Sequence, residues 1–174
     1  MGQIPFRQSL EEDYSKEGAM HVVQCIQKDN SRMQELMECF FDEDLRVCQR
    51  AAWPAGMIAD VKPELIIPFL EKMLLNLDTP HHDAVIRNTF RTLQNVEIPE
   101  DLEGLAFEKA FEFLLDPKNA IAIRVFAMTV CGNIALKYPE LKHELVPVIE
   151  EQLPYGSAGF KNRGAKILKK LNET

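Results

Sequence analysis

Apolar residues recur along this chain at intervals of about three to four, the spacing that collects them on one face of a helix. Leu102, Leu105, Ala106, Ala110, Phe113 and Leu114 form one such stripe. Stripes of this kind predict helices near 31–41, 63–77, 101–115 and 141–153, and a second set near 44–60, 82–96, 120–137 and 159–171. The short stretches FFDED, LDTPHHD, LLDPKN and LPYGSAG separate a helix of the first set from one of the second, as turn-forming residues do. Residues Lys16–Gln27 predict one more helix, and residues 1 to about 9 are expected to be loose. No segment alternates as a strand does.

The pattern repeats. Aligned on their arginines, VCQRAAW, AVIRNTF, AIRVFAM and FKNRGAK place Arg50, Arg87, Arg124 and Arg163 at near-constant separations of 37, 37 and 39 residues. A second marker keeps step: Pro63, Pro99 and Pro139, each followed by acidic residues, stand 24, 25 and 24 residues before the next arginine. Proline and acid together suit a helix start, where the missing N–H costs nothing and negative charge meets the positive end of the dipole. Units of about 30–62, 63–98, 99–138 and 139–171 follow. A hairpin of this length cannot bury its apolar faces alone, so neighbouring hairpins must stack on one another.

Paired helices, a unit of this length, an acidic turn and an arginine early in the second helix together resemble HEAT repeats. Asp42 or Asp44, Asp78 and Asp116 match the turn position; Arg50, Arg87 and Arg124 match the arginine. Pro68 and Pro147 lie inside first helices, as prolines of HEAT units often do. The fourth unit has PYGS where the Asp should be, which suits a terminal repeat. The resemblance, which covers about 30–171, implies an all-α fold, a right-handed αα superhelix of about four hairpins with an N-terminal capping helix; length suggests one domain, spanning 1–174. It also implies a ladder in which turn acids bind the arginine of a following unit, Asp78 with Arg124 or Asp116 with Arg163. Arg50 and Arg87 belong to the same series. A guanidinium has the planar fork of donors such a role needs.

Charge is sorted between the two sets. First helices are net negative and second helices net positive, with most of the positive charge in Lys161, Arg163, Lys166, Lys169 and Lys170 of the last one. Second helices line the concave side of HEAT stacks, so the resemblance implies a basic inner groove. Arg46, Arg91, Lys166, Lys169 and Lys170 then make a candidate anion-binding strip. A solvated helix end accounts for the same lysines, because cations complement a helix C-terminus. Trp53 is a candidate contact aromatic, or a packing residue like Phe90 and Ala127 at the equivalent positions.

The chain is 174 residues long with a formal charge of −7, which argues against a surface that is basic throughout. MGQIPFRQSLEED lacks the layout of a signal peptide, and no apolar run approaches the ~20 residues of a membrane span; a cytoplasmic protein is expected. Gly2 is not a myristoylation signal because Phe6 stands where Ser or Thr is needed. Cys25, Cys39, Cys48 and Cys131 lack zinc spacing and read as buried free thiols. His81, His82 and Asp83 form a loop run better suited to a turn and an N-cap than to a metal. No catalytic residue, metal or cofactor is indicated. The expected function is non-catalytic binding of another protein or an acidic peptide. The alternative is a relative of HEAT-like DNA alkylation-repair glycosylases, with nucleic acid in the groove.

Overall fold

Val47, Cys48, Ala51, Ala52, Ala55, Ile58 and Ala59 line one broad buried face of a helix, and so many small residues let neighbours approach closely. That helix is the hub of the first half of the protein. The computed structural model describes residues 4–79 and 82–173 and contains α-helices and no strand among them. The chain divides into two compact units, Met1–Glu97 and Ile98–Thr174.

In unit 1, α1 (Phe6–Glu12), α2 (Lys16–Lys28) and α3 (Met33–Phe40) precede the hub α4 (Leu45–Val61), and α5 (Leu70–Leu75) and α6 (Asp83–Leu93) follow it. The hub packs against α1, α2, α3 and α6. Local chemistry starts these helices: Ser15 Oγ accepts from the Gly18 N–H at 3.0 Å, and Asp44 Oδ1 accepts from the Arg46 N–H at 2.8 Å. The Arg46 bond is the main reason the Asp44 carboxyl lies below its ordinary range. His82 caps α6 as expected, its Nδ1 accepting from the Ala84 N–H at 3.1 Å; His81 and Gly2 lie outside the described residues.

Two expectations need correction here. The N-terminal stretch is helical from Phe6, whose side chain is 1% exposed, with Leu10 at 2%. The helix expected over 63–77 is broken into 3-10 turns at Pro63–Leu65 and Ile67–Phe69 before α5 begins, because Pro63 and Pro68 each remove a backbone donor. Pro54, by contrast, does not interrupt its helix: α4 runs through it.

In unit 2, α7 (Glu100–Leu115) leads to the hub α8 (Ile121–Lys137), followed by α9 (Lys142–Gln152) and α10 (Ala158–Asn172). The hub packs against α7, α9 and α10. Ile123, Ala127, Met128, Val130, Cys131, Ile134 and Ala135 repeat the small-residue pattern of α4. The four cysteines are free thiols, three of them buried and Cys25 half-buried. Burial pushes the Cys39 thiol up to about 11 and raises those of Cys48 and Cys131, which makes them packing groups rather than nucleophiles. No helix among the described residues is long and apolar enough to cross a membrane.

Candidate functional site

The last helix carries its chemistry on both sides of an apolar seam. Phe160, Gly164, Ile167 and Leu171 of α10 are buried, while Arg163, Lys166, Lys169 and Lys170 flank them. Ser157 starts the helix by accepting from the Phe160 N–H at 3.3 Å, and Lys142 Nζ ends it by donating to the Leu171 carbonyl at 3.0 Å. Close seating against α8 depends on Gly132, where an added Cβ would stand 2.8 Å from Ile167 Cγ2.

Between α8 and α10 lies a cleft of about 530 Å³. Gly132, Leu136, Ile167 and Leu171 give it an apolar portion; Thr129 and Asn133 of α8 and the four cations of α10 give it polarity, with Glu173 the opposing carboxylate. Arg163 Nη1 donates to Thr129 Oγ1 at 2.6 Å, and that hydroxyl donates to the Val125 carbonyl at 2.9 Å, so the guanidinium is held against α8. Lys169 approaches Glu173 at 3.7 Å, but both side chains are largely exposed, and such a pair contributes little. Lys166 is exposed and has no hydrogen bond or ion pair among the described residues. The cleft therefore offers flexible ammonium groups beside apolar surface, a combination suited to carboxylates or phosphates attached to an apolar chain.

The remaining residues of the expected strip belong to unit 1. Arg91 forms an ion pair with Asp60, whose other oxygen accepts from Asn95 Nδ2 at 2.9 Å. Arg46 is exposed. Trp53 is half-buried, whereas Phe90 and Ala127 at its equivalent positions are fully buried.

Two of the four repeating arginines, Arg50 and Arg124, are placed by helix ends. Arg50 Nη1 donates to the carbonyls of Leu10 at 2.8 Å and Glu11 at 2.9 Å, at the end of α1. Arg124 Nε donates to the Leu114 carbonyl at the end of α7 at 3.2 Å, while its Nη2 donates to Gln152 Oε1 at 2.7 Å and its guanidinium lies 5.0 Å from the Phe160 ring centre. Arg87 is exposed and makes no hydrogen bond among the described residues. Arg163, expected to pair with Asp116, donates to Thr129 Oγ1 at 2.6 Å. Asp116 instead accepts from the Lys118 N–H at 2.9 Å, and Asp42 from the Asp44 N–H at 2.8 Å. A short carboxylate closes its own turn first, and a helix C-terminus leaves carbonyls that a long guanidinium reaches more easily. Asp78 ends the 3-10 turn Asn76–Asp78.

Over residues 6–171 the chain matches the family described as HEAT repeat domain. It belongs to the HEAT-repeat family. No curated protein and no solved structure matches it. HEAT repeats commonly serve as protein-interaction scaffolds, because stacked hairpins offer extended surfaces rather than deep catalytic pockets.

Two polar clusters of this HEAT protein escape the repeat pattern. Glu103, only 3% exposed, pairs with Lys137 and accepts from the Tyr138 hydroxyl at 2.7 Å, tying α7 to the end of α8. The Lys137 hydrogen bond is the largest cause holding the Glu103 carboxyl below its ordinary range, and the bond to Glu103 raises Tyr138. In sequence Glu103 looks like one more acid of a helix start. The second cluster, Arg32 with Glu35, serves α1. Thr129 and Asn133 of the cleft did leave a signal, as polar residues one turn apart inside the apolar run of α8.

Proposed function

We propose that this HEAT protein acts by binding rather than by chemistry, and that the α8–α10 cleft takes an acidic segment of a partner protein. The observation that carries this reading is the convergence of Arg163, Lys166, Lys169 and Lys170 on one partly apolar cleft with Glu173 as the opposing charge. Aspartates or glutamates of an extended peptide would meet the ammonium groups, and an intervening apolar side chain would rest on Ile167 and Leu136. Arg163, fixed by Thr129, supplies the preorganised donor; the lysines supply adaptable ones.

Fluorescence anisotropy with a labelled peptide of alternating glutamate and leucine tests this. Binding is expected to weaken at least about tenfold when Lys166, Lys169 and Lys170 are changed together to Glu, and to weaken steeply with salt. Wild-type affinity equal to that of the variant sinks the proposal. Duplex DNA, added as a competitor, is expected not to displace the peptide at physiological salt. Tighter, strongly salt-dependent DNA binding would replace the reading with a nucleic-acid one.

A further inference from the structure

Glu100, Glu103, Gly104 and Phe107 share one face of α7, and Gly104 is the odd member. Glycine inside a helix is less favourable than alanine, and close packing is the usual reason for it. At Gly56, Gly132 and Gly164 an added Cβ would stand under 3.0 Å from a neighbour, whereas at Gly104 nothing lies within 4 Å. The missing side chain leaves space instead. It borders a pocket of about 260 Å³ whose other wall is Ile134, Tyr138 and Glu140, carried by the end of α8 and the 3-10 turn Pro139–Leu141. The ionised side chains that line this pocket are all carboxylates. Glu103 is bonded to Lys137 and to the Tyr138 hydroxyl. The carboxylates of Glu100 and Glu140 are exposed and make no hydrogen bond or ion pair among the described residues. They converge on one place: besides the bond to Glu103, the charges of Glu100 and Glu140 both push the Tyr138 hydroxyl up. The positive end of α7 and the negative end of α8 meet here, so their dipoles offset and the carboxylates set the sign.

A pocket with a bare glycine, aromatic and aliphatic walls and two uncommitted carboxylates on its rim suits a cation on an apolar stem. At about 260 Å³ it is smaller than the roughly 300 Å³ at which small-molecule sites begin, which favours a single side chain over a free ligand. We propose that the α7–α8 pocket receives an arginine side chain of a partner protein, its methylene stem along Phe107 and Ile134 beside Gly104 and its guanidinium between Glu100 and Glu140. Arginine fits better than lysine, because its planar fork reaches two carboxylates, stacks on an aromatic ring and gives up water more readily. Lys137 already compensates Glu103, so the incoming charge is matched by the two acids that have no partner. This pocket is distinct from the α8–α10 cleft and opposite to it in sign, so the inference stands whether or not an acidic segment binds there.

The test titrates the isotope-labelled full chain with an end-blocked peptide of glycine and leucine carrying one central arginine, and follows the amide signals by NMR. Saturable shifts are expected at Gly104, Tyr138 and Glu140, from binding that weakens as salt rises. Citrulline in place of the arginine keeps the shape and removes the charge, and is expected to weaken binding at least about tenfold; lysine is expected to weaken it about threefold. Gly104→Met extends a side chain into the pocket and is expected to weaken binding at least about tenfold, while the thermal melt stays or rises because methionine is the better helix former. Glu100→Gln with Glu140→Gln, both at exposed positions, is expected to weaken it about tenfold and to remove most of the salt dependence. Binding of the acidic peptide is expected to be the same in all these chains. Shifts that do not saturate, a citrulline or lysine peptide that binds as well as the arginine one, or undiminished binding by a folded Gly104→Met chain overturns the proposal. So does dimerisation that protects Gly104 from hydrogen exchange and is lost with Lys166→Glu, Lys169→Glu and Lys170→Glu, which gives the pocket to a second copy.

Discussion

Units 1 and 2 are each built on a hub helix lined with alanine, cysteine and glycine, yet they treat their cations differently. In unit 1, Arg32, Arg50 and Arg91 are bound by Glu35, by the end of α1 and by Asp60. In unit 2, Arg124 closes the end of α7, but the lysines of α10 project around a cleft with Glu173 as the carboxylate among its lining residues. The guanidinium groups of Arg50 and Arg124 reach the C-terminal carbonyls of a neighbouring helix, whereas Lys166 is exposed at the cleft. The comparison teaches that the repeat position of an arginine does not set its role. What lies within about 6 Å of its guanidinium does.

The largest effects should follow that rule. Arg124→Ala is expected to cost about 3 kcal/mol in urea unfolding, since it removes two hydrogen bonds and leaves the Leu114 carbonyl unpaired. Arg50→Ala is expected to cost less, about 1–2 kcal/mol, because α1 is the main element it holds. Arg87→Ala, at the same repeat position but exposed, should stay within about 0.5 kcal/mol. Equal losses at all three positions would mean that register, not contact, governs these residues.

Most helices were legible because apolar residues recur every three to four positions between turn-forming stretches, and the arginine and proline markers fixed their order. α1 was not legible: Phe6 and Leu10 are too few for a stripe, and the groups that hold them, Arg32, Glu35 and Arg50, lie far along the chain. The break before α5 was written in Pro63 and Pro68. For the site, the charge of α10 could be read directly. The partners of the arginines could not, because periodicity says where a side chain recurs and not which carbonyl waits there.

A second way to sharpen the comparison is through the glycines at which consecutive second helices meet. A Cβ on Gly56 of α4 would stand 2.7 Å from Asn88 Oδ1, and Asn88 is buried with its Nδ2 bonded to the Ala84 carbonyl at 2.8 Å. A Cβ on Gly132 of α8 would meet the stiff, β-branched Ile167 at 2.8 Å. Either Gly→Ala change is expected to destabilise by about 1–2 kcal/mol net, overpacking outweighing better helix propensity. Gly104→Ala, where nothing lies within 4 Å, should stabilise by about 0.5–1 kcal/mol. Gain at Gly132 would show that α10 sits more loosely than its seam implies.

Acid separates the units a third way. Glu103 of unit 2 is buried, and Glu35 of unit 1 is only half-buried. Because the folded Glu103 carboxyl is lowered, the native state binds fewer protons than the unfolded chain just below the ordinary value of about 4.3. Its contribution is therefore complete above that value and disappears as pH falls through the lower native one. Glu103→Gln is expected to cost about 1–2 kcal/mol at neutral pH, with the two stability curves converging below about pH 4. Tyr138, raised by the same bond, gives the mirror case: its contribution is present below the ordinary tyrosine value and is lost as pH rises through the raised one.

The smallest effect is expected where the charge is greatest. Lys166, Lys169 and Lys170 changed together to Gln should shift stability by less than about 0.5 kcal/mol. Two small terms oppose each other there. Cations in the last turn of α10 lose their favourable position at the negative end of the dipole, while Lys166 and Lys170, one turn apart, lose their mutual repulsion. The exposed Lys169–Glu173 contact adds little to either side. A thermal melt that hardly moves, together with loss of acidic-peptide binding, would separate these lysines from Arg124 by function rather than by position. A destabilisation as large as that of Arg124→Ala would instead make them part of the scaffold, and their contrast with the carbonyl-bound arginines would fail.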